Sequence, residues 1–112
     1  MAATLAEIER TLVVGGGVHR HPDDIYFGGG QWLLLAAFLG WHYAELGRTA
    51  DAWSELGWIA ARADEDGALP EQVDEHLLAP DHADDWPIPV ARPLLWSHAM
   101  FLTLAAALDA LA

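Results

Sequence analysis

Trp32-Leu33-Leu34-Leu35-Ala36-Ala37-Phe38-Leu39-Gly40-Trp41 is the stretch that decides the fold. It holds no charge and falls inside a helical run from Gln31 to about Leu46, which Gly47 suits as a C-cap. A helix that is apolar on every face needs cover on every face. A second such run, Leu94 to Leu108, lies in a final helix from Pro93 to about Leu111, with Pro93 suited to its first turn. Between the two, Thr49 to about Asp66 reads as an amphipathic helix. Thr49 can cap it, Asp51 suits its first turn, and Trp53, Leu56, Ala60 and Ala63 make one apolar stripe with Ile59 beside it. Gly67 stops it and Pro70 prevents a restart.

Outward from these helices the pattern is simpler. Ala2 to about Val14 reads as a short helix with Leu5, Ile8 and Leu12 at helical spacing, Thr4 as its N-cap and Gly15-Gly16-Gly17 as its end. Residues 18–30 form a loop rich in Gly and Asp. Residues 67–92 form a long segment without periodicity, punctuated by Pro70, Pro80, Pro87 and Pro89, of the kind that carries function. No strand is expected. The fold class expected is all-α, about four helices in one unit over residues 1–112. Helices apolar all round alternating with an amphipathic one suit the inner and outer layers of a helical barrel, incomplete in this chain.

The composition agrees. The 112 residues suffice for one core, and 54% are apolar with alanine and leucine prominent, which favours helix. Six tryptophans are many for this length, so some of them pack or bind. Seventeen acidic residues face five arginines and no lysine, a formal charge of -12. That charge sets aside nucleic acid and anionic membrane surfaces and leaves neutral ligands, sugars among them. There is no cysteine, hence no disulfide. Glu7 and Glu9 stand where a signal peptide would be basic, and neither apolar run reaches the roughly 20 residues of a membrane span. A soluble, cytoplasmic protein without cofactor is expected.

Three segments carry the chemistry. The first is Arg20-His21-Pro22-Asp23-Asp24-Ile25-Tyr26-Phe27-Gly28-Gly29-Gly30-Gln31-Trp32, the second Leu69-Pro70-Glu71-Gln72, the third Pro93-Leu94-Leu95-Trp96-Ser97-His98-Ala99. In order and spacing they resemble the C-terminal part of the catalytic domain of glycoside hydrolase family 15, the glucoamylase, glucodextranase and trehalase family. The resemblance implies a barrel of six helix hairpins, (α/α)6, and hydrolysis of α-glucosidic bonds with inversion. Inverting enzymes flank the sugar with two carboxyl groups ~6.5–9.5 Å apart, leaving room for a water. By resemblance Glu71 is the general base that takes a proton from that water. The family's general acid lies on an earlier hairpin and has no match here. Asp74 and Glu75 are too near Glu71 in sequence to reach across a sugar. The isolated chain is therefore expected to be inactive or very weak.

Each residue also has a plainer reading. Glu71 alone would be a solvated loop acid; the flanking motifs make it the base. Arg20, by resemblance a donor to sugar hydroxyls, is otherwise a loop ion pair with Asp23 or Asp24, and Asp24 orients it in both cases. Trp32 lines the leaving-group subsite or packs in the core. Gln72 shapes the site or is a polar loop residue. Tyr26 and Phe27 suit packing, and Phe27 lacks the hydroxyl that many relatives have. Trp96 is a substrate-side candidate near the barrel axis, although core packing suits it better, and His98 is expected to be a satisfied core histidine. His76, Asp81, His82, Asp84 and Asp85 are of metal-ligand type, but their spacing matches no known loop, so a solvated face and no metal are expected. The competing function is a non-catalytic helical interaction module or a remnant of a hydrolase gene, in which Glu71 and Arg20 are idle. The partners expected are an α-glucoside or α-glucan and, through exposed apolar helices, a second copy or the missing part of the barrel.

Overall fold

The structure, a computed structural model, describes residues 2–111. It is mostly helical, with four α-helices among the described residues: α1 (Ala2–Thr11), α2 (Leu33–Glu45), α3 (Thr49–Ala60) and α4 (Leu95–Leu111). Helix α2 is central and packs against both α3 and α4. The sequence explains why. Ala36, Ala37, Gly40 and Ala44 keep α2 thin, so that Ala52 and Ile59 of α3 and Leu104 and Leu108 of α4 close on it and are fully buried. Ile59, Leu104 and Leu108 each contribute about 1.5–3 kcal/mol relative to exposure. Gly47 ends α2 as expected: it takes φ +79°, its N–H bonds to Ala44 O, and the next N–H, of Arg48, bonds to Tyr43 O. No helix among the described residues is long and apolar enough to cross a membrane.

Several expectations fail for identifiable reasons. Strands are present: β1 (Val13–Val14) pairs with β2 (Gly17–Val18), and β3 (Gln31–Trp32) pairs antiparallel with β4 (Gln72–Val73). Gly15 and Gly16, read as a helix stop, are the two positive-φ residues of the β1–β2 hairpin turn. Thr4 lies inside α1, so it is no N-cap, and no side chain caps α3, which starts at Thr49. Helix α3 ends at Ala60 because the Asp64 carboxylate accepts from the N–H groups of Asp66 and Ala68, folding residues 64–68 into a turn. Its buried face is Ala52, Glu55, Trp58 and Ile59, whereas Trp53 is 48% exposed, so the stripe is rotated by about one residue from the expected one. Helix α4 starts at Leu95, two residues after Pro93.

The two runs that are apolar all round are only partly covered. Phe38 and Trp41 of α2 and Leu95, Trp96 and Leu102 of α4 stand exposed, Leu95 at 82%. Trp96, for which core packing was the plainer reading, is 61% exposed among the described residues.

Candidate active site

The pairing of β3 with β4 places Gln31 opposite Val73 and Trp32 opposite Gln72. His19 bridges to Gln31 on the other side. Two segments some forty residues apart in sequence thereby meet. The Arg20–Trp32 segment ends where Glu71 begins, and the Leu33 N–H bonds to Glu71 O at 3.3 Å. The Glu71 N–H bonds in turn to Ala91 O at 2.9 Å, which closes residues 72–90 into one excursion.

The Glu71 side chain is half-buried, and its Oε1 accepts from the Gln72 amide Nε2 at 3.1 Å. Gln72 itself is buried. Gln72 thus lies buried in β4 with its amide bonded to the neighbouring carboxylate. Arg20 forms the expected pair with Asp24 and not with Asp23. Its Nε and Nη2 donate to Oδ2 and Oδ1 at 3.1 and 2.8 Å. Asp24 is buried, and burial alone would raise its carboxyl; the Arg20 bonds and the Tyr26 N–H, at 3.1 Å, outweigh this and hold it below the usual carboxylate range. So fixed, the Arg20 guanidinium lies 5.2 Å from the Tyr26 ring centre and 5.0 Å from that of Trp32, while its side chain remains 41% exposed. Tyr26 and Trp32 stack at 6.3 Å. The result is a cation on two aromatic faces beside a carboxylate, which is a surface suited to a polyhydroxylated ring. It also leaves Trp32 Nε1 and Gln72 Oε1 buried without a partner among the described residues.

The sequence reading missed Trp86. It sits edge-on to Tyr26 at 5.2 Å and stacks on Phe27 at 5.3 Å. Phe27 has the left-handed φ of +50°, and Gly28 and Gly29 follow at +84° and +75°. Backbone bonds from Leu78 and Ala79 to the carbonyls of Gly29 and Gly28 fasten the excursion onto this strained turn. The signal was the tryptophan count alone, since residues 67–92 have no periodicity.

The third motif approaches from below. Leu94 N–H donates to Leu69 O at 2.9 Å, Leu69 N–H to His98 Nε2 at 2.9 Å, and Ser97 Oγ to Pro70 O at 2.9 Å. His98 is a hydrogen-bonded, half-buried histidine as expected. Trp96 stacks with no ring of the aromatic cluster among the described residues. Glu75 is committed to Arg62 at 2.6 and 3.0 Å, and His82 to Asp85 at 2.6 Å. Among the described residues no three His, Asp or Glu side chains gather as a metal-ligand set. A cavity of about 280 Å³ lies away from Glu71, between α1 and α2, with His19 and Arg20 at its edge.

No family model matches this chain. It is 53% identical over 107 residues to an isomaltose glucohydrolase of Kribbella flavida, covering 93% of this chain and 28% of that protein. It is 33% identical over 100 residues to an uncharacterized glycosyl hydrolase of Methanocaldococcus jannaschii, covering 78% and 15%. Among solved structures it matches a wild-type glycosidase at 52% identity and TM-score 0.94, covering 96% of this chain and 30% of that one. A glycosidase variant with a glutamate-to-alanine replacement, in complex with glucose, matches at 51% and TM-score 0.94. The chain spans about three tenths of the length of the Kribbella protein and of these solved glycosidases. Its sequence and its fold match a segment of these glycoside hydrolases.

Proposed function

We propose that this chain is the C-terminal part of a family 15-type catalytic domain, an (α/α)6 helical toroid that hydrolyses α-glucosides with inversion. The observation that carries the reading is the β3–β4 pairing, which sets Glu71 and Gln72 against the Arg20–Trp32 segment. Glu71 is the general base, with the Gln72 amide steering its carboxylate toward one water. Arg20, held by Asp24, donates to sugar hydroxyls, and Trp32 with Tyr26 takes the apolar face of the ring. Trp96, exposed at the start of α4, faces substrate or the rest of the domain. The general acid comes from outside this chain: Glu75 is bound to Arg62, and Asp74 is three residues from the base. The name of the Kribbella protein makes isomaltose, an α-linked glucose disaccharide, the first substrate to test. The bare faces of α2 and α4 are where the remaining helices of the toroid pack, and the chain alone is inactive or very weak.

The test is a chimera in which this chain replaces the matching segment of the isomaltose glucohydrolase, assayed for glucose release from isomaltose, maltose, trehalose and starch. Glu71→Gln lowers kcat by ~10²–10⁴-fold, the contribution of general base assistance. The glucose released first is the β-anomer. A chimera as active with Glu71→Gln as without it refutes the role of Glu71; one that folds and never releases glucose favours the non-catalytic module.

A further inference from the structure

Glu71 lies on an irregular segment, where a side chain is positioned less well than on a helix or a long strand. Yet the two residues before it are held on three sides by the first turn of α4 and the residue preceding it. Leu94 N–H and His98 Nε2 satisfy both backbone groups of Leu69, at 2.9 Å each. Ser97, itself 1% exposed, spends its hydroxyl proton on the Pro70 carbonyl at 2.9 Å. Pro70 has no N–H to offer, so that carbonyl is its sole backbone handle. No backbone group of the pair is left to drift.

We infer that Ser97 and His98 are positioning residues for the reaction: they form a clamp that transmits the rigidity of α4 to the carboxylate of Glu71. The inference rests on the proposed role of Glu71 as base. The chemistry of the two side chains suits the task. His98 accepts through Nε2, so the ring must be neutral there with its proton on Nδ1, and a group without an acceptor at that reach cannot replace it. The Ser97 hydroxyl donates from full burial, where a competing water is excluded. A displacement of the base by about 1 Å costs on the order of 10²-fold in rate. The clamp acts on the chemical step and leaves the sugar-contacting side chains of the Arg20–Trp32 segment where they are.

Two measurements test this. In the chimera described above, Ser97→Ala and His98→Ala lower kcat by about 10- to 10²-fold while KM stays within about twofold. His98→Gln, whose amide oxygen can accept from the Leu69 N–H, recovers much of the loss. In the 112-residue chain itself, amide hydrogen exchange at Leu69 accelerates in His98→Ala and is restored in His98→Gln. Unchanged kcat in both alanine variants, with Glu71→Gln inactive, overturns the clamp. If Glu71→Gln remains active, the role of Glu71 falls instead, and Leu69 exchange alone decides whether the clamp exists: unchanged exchange refutes it. Should His98→Ala fail to fold, Ser97→Ala, which removes one oxygen, carries the test.

Discussion

Replacing Glu55 by glutamine flattens the dependence of stability on pH between about 5 and 8. Glu55 is 5% exposed, in the middle of α3, at the point where α2, α3 and α4 meet. Its Oε2 has no partner among the described residues. Burial, with the charge of Asp51 one turn away as a smaller contribution, pushes its carboxyl up from 4.5 to about 8. The folded state therefore holds this proton more tightly than the unfolded chain does. The stabilisation is complete below pH ~4.5 and is lost as pH rises toward 8, because the unfolded state gains by ionising and the folded state does not. At ~1.4 kcal/mol per pKa unit, the rise from 4.5 to about 8 sets a ceiling of roughly 5 kcal/mol between the two limits. Relaxation around the carboxylate lowers it, so we expect about 2–4 kcal/mol lost between pH 5 and 8. Urea denaturation of the wild type and Glu55→Gln at several pH values measures the difference directly. Other titrating groups are common to both proteins, so subtracting the two curves isolates this one. Parallel curves over that range would refute the reasoning, since they would mean that Glu55 ionises in the folded state as easily as in water.

Two further predictions concern packing and the ion pair. Arg20→Ala leaves the Asp24 carboxylate buried without its cation and costs about 2–3 kcal/mol, less than a fully buried pair because Arg20 is partly exposed. In the wild type this contribution disappears as pH falls through the lowered Asp24 range, and in Arg20→Ala,Asp24→Asn much of the loss is recovered; chemical denaturation at pH 7 and pH 3 reads both. Gly40→Ala places a methyl group 2.8 Å from Leu104 Cδ2 and 3.0 Å from Glu55 Cβ, and this overpacking outweighs the helix-propensity gain by about 1 kcal/mol, seen as a lower melting temperature.

The helices were legible because their information is local. Trp32 to Trp41 is uncharged and uninterrupted, and Gly47 sits where a left-handed residue must end the helix. The orientation of α3 was not legible. A large Trp53 and a charged Glu55 point the pattern one way, and only the gap made by Gly40 on a neighbouring helix lets Glu55 turn inward. The strands were hidden for a different reason: two residues cannot show a period of two. The motifs led us to expect the Arg20–Trp32 and Leu69–Gln72 segments in one site, while the β3–β4 pairing that joins their backbones and the Trp86 contact are contacts between distant parts of the chain that no local pattern records.

The bond between the Glu71 amide and the Ala91 carbonyl ties off the neck of the excursion that follows Glu71. Between its fastenings at Leu78, Ala79 and Trp86 the excursion can lengthen or shorten while its neck stays fastened, and doubling such a loop costs only ~0.6 kcal/mol in closure entropy. Insertions there would redraw the wall that Trp86 builds without displacing the carboxylate at the neck. A fold organised in this way can vary one surface loop while the backbone at Glu71 stays in place.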